Sequence, residues 1–596
     1  MRITSNMILH NAATNINGNK VLVDKGNNQM TTQTKIQRPS EDPVVAVRSL
    51  ALQTRLSKIN QYYETNIPDA EQWMDVTETA VNNIIDSITE LKKLCVQGST
   101  STMNTDDRET VLKQLKSLQE SIFAEGNADY AGRTVFTGYR TDKTLVFTDD
   151  DCDKKYNITQ ELSANDFEKV SYFNNEVSVP ANKDQVNKLD DASSNDNLKK
   201  DDITIQNSSY KRLRLAYDNI SDVESLTFSY KNSSGGTVTN TMQLVTQAKD
   251  ENNKDYIPPL AATDKDGNLK YETDVVQKNN ERKVKSTEGG TPTSVSYNYD
   301  KVSSASSNND LPETVYVFEN ELDWADWSSK KGATTKYVPD DAAVLIKETG
   351  DLVFGKNTAD QMSAKETSVA VNYDKNSFSA GELKPEYYYD CVDNTGVDYS
   401  DLDGTIGSRL VYNRSDIAYD INYTVAVNQN ITVNLQANEI FDSSAQQDMK
   451  DLTSVITNTQ DAYEKREKIA ALMKDSDYQD DATQKKLSEW YTAASKEYDY
   501  YNDYMQETFE RVLGNTEDYL NKANLAETTL GCRGDELKIT KTRMDEQQES
   551  VTELKSKNDN LDLSTIMMNY TAYYTAYQAS LVAAGKLGEQ SLLNYI

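Results

Sequence analysis

His10 is the only histidine among 596 residues. A zinc peptidase helix needs two imidazoles one turn apart, and a Ser-His-Asp or Cys-His site needs one held in place. His10 falls in a start rich in Asn and Thr, so neither site is expected. A two-carboxylate glycoside hydrolase needs no histidine. With 95 acidic side chains in the chain, however, no carboxylate pair stands out, and the reading is that the protein is no enzyme. DKDGN at Asp264–Asn268 begins like a calcium loop, but Gly267 comes too early for the glycine at the sixth position. A hairpin turn is expected there, and a solvated loop at Asp149–Asp153. Cys95, Cys152, Cys391 and Cys532 include no close pair, so they read as free thiols, not zinc ligands or a disulfide framework. Arg533-Gly534-Asp535 spells an adhesion tripeptide, but inside a predicted helix. Trp324 and Trp327 could form a sugar platform; a core or turn role is expected instead. No catalytic residue, cofactor or metal is expected.

The totals point away from a single large core. Only 37% of residues are hydrophobic, against about 45–50% (glycine included) in ordinary globular chains. The net charge of −32 disfavours nucleic acid, which needs Lys and Arg against phosphate. Met1–Lys20 is polar, without the apolar run of a secretory signal, and no stretch approaches the ~20 apolar residues of a membrane span.

The elements that would position any functional surface are mostly helical. Residues 1–37 are weakly helical, with Ile3, Met7, Ile16, Leu22 and Met30 as scattered anchors. Ser40 is the expected N-cap of a helix opening at Pro43. Val45, Ser49, Leu52, Leu56, Ile59 and Tyr63 then alternate by four and three, a heptad seam. Pro68 interrupts it, and Ala70, Trp73, Ala80, Ile84, Leu91 and Leu94 resume it up to Gly98. A third helix with Val111, Leu115, Leu118 and Ile122 should fold back on the second. From about 151 to 435 short β-prone runs alternate with turns, with a linker at 285–294 splitting two possible lobes. The run YTVAVNQNITVNL reads as a hairpin with Val425, Val427, Ile431 and Val433 on one face. Helical periodicity returns after Phe441. Ala523, Leu530, Leu537, Met544 and Val551 recur every seven residues, and after a break at KSKNDN so do Leu563, Ile566, Tyr570, Tyr573, Tyr577, Ala584 and Leu587 at three-four spacing. The fold class is α+β and multidomain. N- and C-terminal helices pair into a long coiled-coil-like bundle around a β-rich central insertion. The domains are 1–66 with 558–596 (terminal helical assembly), 67–150 with 436–557 (helical rod) and 151–435 (variable centre). The helix after Ser40 is expected to pair with the C-terminal helix. The assembly interface is expected at Val45, Leu52, Leu56, Ile59, Tyr63, Leu563, Ile566, Tyr570, Tyr573, Tyr577 and Leu587.

At this point specific stretches resemble the flagellin-like axial proteins of the bacterial flagellum. MRITSNM is similar to that family's start. RPSEDPVVA resembles its proline-bracketed turn at Arg38, Pro39, Ser40, Asp42 and Pro43. GRTVFTGYRTD resembles the exit from the N-terminal helices at Gly132, Arg133, Phe136, Gly138 and Tyr139. NEIFD, ending the centre at Phe441, and LGCRGDELKI, with Gly531, Cys532, Arg533 and Leu537, are similar to the return path. The resemblance covers about the first 150 and last 155 residues. Gln33 stands where the family commonly ends its first helix with glycine, so that helix is expected to run further here. Residues 470–510 read as an added helical hairpin. The resemblance implies a structural, secreted motility subunit at the junction of hook and filament. Such a subunit leaves the cell unfolded by type III export, without a cleaved signal peptide, and self-assembles outside it. The implied partners are copies of itself, a second hook-associated protein and flagellin, with an export chaperone. The alternatives are a filament flagellin, or a surface-binding or adhesion module carried by the central region.

Overall fold

The computed structural model describes residues 5–100, 103–189, 205–231, 236–249, 255–256, 260–263, 269–271, 275–278, 281–284, 297–303, 314–395, 410–413, 420–440 and 443–589. The turn at Asp264–Asn268, the linker at 285–294 and Phe441 lie outside the described residues. The helices in chain order are α1 (Ser5–Thr32), α2 (Pro43–Asn60), α3 (Ile67–Gly98), α4 (Thr105–Glu125), α5 (Lys183–Asn187), α6 (Glu321–Lys330), α7 (Lys356–Ala364), α8 (Ala437–Ile440), α9 (Ser443–Lys474), α10 (Asp481–Asp559) and α11 (Leu563–Glu589). The chain forms two compact units. One holds 1–74, 422–433 and 531–596; the other holds 75–421 and 434–530.

Local chemistry explains the helix ends. Asp42, not Ser40, is the N-cap of α2: its carboxylate accepts from the amides of Val44 and Val45 at 3.0 and 3.1 Å. Pro43 follows at the first helical position, where a missing N–H costs nothing. Asn104 and Asp107 form a reciprocal capping box at the start of α4. Pro68 does not break the helix. Residues Gln61–Asn66 widen into a π-helical turn, with the Ile67 amide bonded to the Tyr62 carbonyl, and α3 continues directly. The wider turn takes up the ring that would otherwise strike the carbonyl four residues back. Gln33 corrects the expectation of a longer first helix. It stands at φ +57°, the left-handed conformation that a glycine would fill without strain, and α1 ends at Thr32.

In the larger unit, the described strands include thirteen in one sheet. The order runs from Leu410–Tyr412 through Asp390–Asp393, Tyr156–Ser163, Ser368–Lys375, Asp222–Lys231, Thr237–Lys249, Tyr297–Ser303, Thr314–Phe318, Ala342–Ile346, Asp351–Phe354 and Gln206–Arg214 to Glu168–Asn174. The two-residue strand Asp255–Tyr256 pairs off this path with Thr237–Lys249. Pairing is antiparallel except between Thr314–Phe318 and Ala342–Ile346, which α6 joins in parallel. Strands from both sides of 285–294 share this sheet. Phe147, Tyr156, Ile158, Phe228, Leu345, Phe354 and Tyr373 belong to its main core. Trp324 lies fully buried against Tyr172, its indole N–H donating to the Tyr337 carbonyl at 2.9 Å, so it is a core residue.

Two further helical expectations concern α4, α9 and α10. α4 packs on α9, and the Arg108 guanidinium donates to the Tyr498 hydroxyl of α10 at 2.7 Å. The apolar face of α4 was legible, but not the helix that covers it. α9 and α10 do form a hairpin: Lys465 bonds Glu497 at 3.1 Å, and Ile469, Trp490 and Ala494 share one buried cluster.

Candidate functional site

The smaller unit gathers both chain ends. The seam along α2 meets the end of α10, not the terminal helix. Asn558 Nδ2 donates to the Val45 carbonyl at 3.1 Å, and Ser49 Oγ donates to the Asp559 carboxylate at 2.9 Å. Gln548 Nε2 donates to Asn60 Oδ1 at 3.1 Å, and Lys541 pairs with Glu71 at 2.6 Å. Leu537, Met544 and Val551 bury the facing stripe of α10. Asp545 faces Tyr63, and its negative charge raises the phenol pKa. The sequence offers two C-terminal seams with equal spacing and no means of ranking them, which is why the partner of α2 differs from expectation. The break lies at residues 560–562, because α10 stays helical through most of KSKNDN.

The 422–433 hairpin straps this unit. Val425, Ile431 and Val433 are buried, but Val427 is 74% exposed. The turn comes at Val427-Asn428, with Asn428 at φ +58°, so the alternation ends one residue early. Asn66 Nδ2 donates to the Thr424 carbonyl at 2.7 Å, Tyr423 bonds Asp69, and Gln429 Nε2 donates to Glu536 and Thr540 of α10 at 3.0 and 3.1 Å.

α1 packs along α11. Ile566 is fully buried between them, and Tyr570, Tyr573 and Tyr577 are half-buried. Gly26 makes this approach possible: a β-carbon there would lie 3.2 Å from the Tyr570 ring and 3.4 Å from that of Tyr573. Asn19 Nδ2 donates to the Ala576 carbonyl at 3.3 Å. Of the expected interface set, Ile59 and Ile566 are thus buried within the chain, Val45, Leu52, Leu56 and Tyr63 are half-buried, Leu563 is exposed, and Leu587 lies on α11. The periodicity of the inner seam does not reveal a second apolar face. Val44, Val47 and Leu50 on α2, and Met567, Met568, Leu581 and Val582 on α11, point to solvent. Exposed apolar groups gathered this way mark an interaction surface.

The motif residues have visible structural roles. Arg38, Pro39 and Ser40 are exposed before the Asp42 cap. Ala131 and Gly132, at φ +53° and +76°, turn a two-residue hairpin, and Arg133 lies over the Tyr130 ring at 5.4 Å. Phe136 is buried, Gly138 takes φ +62°, and the exposed Tyr139 donates to the Asp420 carbonyl at 3.0 Å. Arg140, not singled out from the sequence, bonds Glu386 and the Tyr412 hydroxyl, both at 2.9 Å. Gly531 is an exposed helical residue with open space around it, and Arg533 is half-buried on α10, so the adhesion tripeptide sits in a helix.

In the larger unit an ionic cluster joins the sheet to α9 and α10. Arg212 is buried, with both oxygens of Asp351 at 3.0 Å, Asp451 at 2.7 Å and Glu168 at 3.0 Å. Arg511 reaches Glu168, Asp448 and Asp451 at 2.9, 2.8 and 2.7 Å, and Arg214 reaches Asp451 at 2.6 Å. Asn515 and Tyr519 donate to Asp448 at 2.8 and 2.7 Å. Burial raises the Asp448 carboxyl above the usual range even against Arg511. Burial works the same way on Asp451, but Arg214, Arg212 and Arg511 together hold it well below that range. The signal available in the sequence was spacing: Arg212 and Arg214 share one strand face, and Asp448 and Asp451 share one helix face. Cys95 and Cys391 are buried free thiols, and burial pushes Cys95 up to about 12. Among the described residues, no group of His, Cys, Asp and Glu could hold a metal, and no helix is long and apolar enough to cross a membrane.

Residues 3–141 match the family model of the bacterial flagellin N-terminal helical region. "Flagellar hook-associated protein 3" of Salmonella typhimurium is 24% identical over 143 residues, 24% of this chain and 45% of that protein. The protein of that name in Escherichia coli is 24% identical over 151 residues, 25% of this chain and 47% of its own. The chain therefore spans about half the length of these relatives. A solved structure, the flagellar junction protein FlgL from Legionella pneumophila, is 10% identical and covers 82% of this chain and 98% of its own at a TM-score of 0.23. At that score the superposition carries no argument about fold.

Proposed function

We propose that this chain is a structural subunit of the bacterial flagellum, acting at the junction of hook and filament and assembling with copies of itself through α1, α2 and α11. The observation that carries this reading is the packing of α1, inside the segment matched by the flagellin model, along α11 at the other end of the chain. The names of the two relatives support the junction role over the filament role. The exposed apolar faces of α2 and α11 support assembly, since head-to-tail contacts that do not close build helical arrays. Its neighbours in this reading are itself, a second hook-associated protein and flagellin. Thin terminal helices also suit export in an unfolded state, with or without a chaperone, followed by ordering on docking. Deletion of the gene tests the role. Cells should keep hooks and release flagellin into the medium. Normal filaments on the deleted strain would reject the proposal, and hooks that still carry the junction but lack a filament would point to a flagellin instead.

A further inference from the structure

A cleft of about 960 Å³ opens in the larger unit between α9, α10 and the turn that joins strands Tyr156–Ser163 and Glu168–Asn174. That volume falls in the range of ligand sites, roughly 300–1,000 Å³. Two glutamines line it, Gln160 from the sheet and Gln447 from α9, and they are 6% and 4% exposed. Both are anchored on one residue. The Ala216 amide donates to Gln160 Oε1 at 2.9 Å, and Gln447 Nε2 donates to the Ala216 carbonyl. These bonds settle the orientation of both side-chain amides, because either flip would set like against like at Ala216. The ends left over are complementary. Gln447 Oε1 is a buried acceptor without a partner, and Gln160 Nε2 is a donor with none among the described residues. A half-satisfied buried amide is costly, and a ligand that completes it recovers that cost. A donor and an acceptor anchored on one residue complement a peptide group, whose C=O meets the first and whose N–H meets the second.

Charge in the rest of the lining is one-sided. Glu161 and Asp166 on the sheet side, and Glu507, Glu510 and Asp518 on one face of α10, are exposed carboxylates; the exposed cation among them is Lys169. Arg214 and Arg511 also line the cleft but are engaged with Asp448, Asp451 and Glu168. An acidic rim alone is ordinary in a chain of net charge −32; the half-satisfied amide pair beneath it marks a site. We propose that this cleft holds a short basic peptide segment of a partner protein. Its backbone amide sits on Gln160 and Gln447, and its Lys or Arg side chains meet the rim carboxylates. Charge complementarity favours such a segment over a second copy of this acidic chain. The site is built wholly from the larger unit, so it stands or falls apart from the assembly reading.

Isothermal calorimetry on the full chain tests it, with acetyl-tetralysine amide as the probe. Spermine, which carries about the same charge without a peptide group, and acetyl-tetraglutamate amide are titrated beside it. The lysine peptide should bind one per chain, and the glutamate peptide should not bind. Spermine should bind about five- to tenfold more weakly, for want of the amide contacts. The combined variant Glu507→Gln, Glu510→Gln and Asp518→Asn should weaken the lysine peptide on the order of tenfold. Asp106→Asn, Glu109→Gln and Glu120→Gln together remove as many charges from exposed positions on α4, outside the cleft, and should leave binding nearly unchanged. Any of three results would overturn the proposal: no binding of the lysine peptide, equal weakening by both triple variants, or spermine binding as tightly as the peptide.

Discussion

Arg212→Met is the sharpest test of the ionic cluster. The variant keeps volume and removes the charge. Asp451 retains Arg214 and Arg511, and Glu168 retains Arg511. Asp351, only 2% exposed, keeps the Tyr172 hydroxyl at 2.9 Å and a distant Arg214 contact at 3.9 Å. The loss is therefore concentrated on one stranded carboxylate. Breaking a buried pair by removing one partner costs about 3–5 kcal/mol, a large share of the ~5–15 kcal/mol of a typical domain. With an m near 3 kcal/mol/M, this lowers the urea midpoint by roughly 1–2 M. Trp324, Trp327 and Trp490 belong to the larger unit and Trp73 to the smaller, so tryptophan fluorescence in a Trp73→Phe background reads the unfolding of the larger unit. Adding Asp351→Asn to the variant removes the stranded charge and should recover more than half the loss. A loss under about 1 kcal/mol, or no recovery in the double variant, would mean that water already serves these groups and the burial argument is wrong.

Asp42→Ala should cost about 1 kcal/mol and speed hydrogen exchange in the first turn of α2, while Ser40→Ala changes neither; equal effects would return the cap to Ser40. The two cluster aspartates should respond oppositely to pH. Asp451 has a depressed pKa, so its contribution is present above the usual aspartate value and lost as pH falls; the cost of Asp451→Asn, measured by urea unfolding, should shrink on acidification. Asp448 has a raised pKa, so its contribution is full at low pH and lost as pH rises through that value; Asp448→Asn should be least costly near neutrality. Limited proteolysis of dilute protein should remove residues before about 41 and after about 558 ahead of the rest, and survival of both ends would contradict a marginal terminal pair.

Much of this architecture was legible because periodicity is a property of one helix at a time. Ala523, Leu530, Leu537, Met544 and Val551 are all buried, as are Ala70, Trp73, Ala80, Ile84, Leu91 and Leu94. Pairing is a property of two helices, and heptads of equal spacing fit several partners. That is why the spacing points α2 to the terminal helix, whereas the structure sets it on the end of α10. Backbone details were hidden for a different reason. Gln33 in a left-handed conformation and the π-helical turn before Pro68 are local strains that distant contacts sustain, and residue type alone argues against the first. The ionic cluster escaped notice because its members come from segments far apart in the chain, each carrying an ordinary charged residue.

The exposed residues of α11 bear on what this chain does more directly than its buried ones. Ile566 is the one fully buried side chain among the described residues of this helix, although Met567, Met568, Leu581 and Val582 are just as apolar. About half of each remains exposed, so burying the rest contributes about 3–7 kcal/mol at ~1.5–3 kcal/mol for a whole side chain. That is a large share of the ~5–15 kcal/mol stability of a typical domain. A helix that leaves so much unburied has not found its main partner inside its own chain. The larger unit, by contrast, buries Phe147, Tyr156, Phe228 and Phe354 in its main core and pairs Arg212 with Asp351. If the proposed assembly holds, folding and association draw on different surfaces, and substitutions on the outer face of α11 should weaken association while leaving the unfolding of the larger unit unchanged.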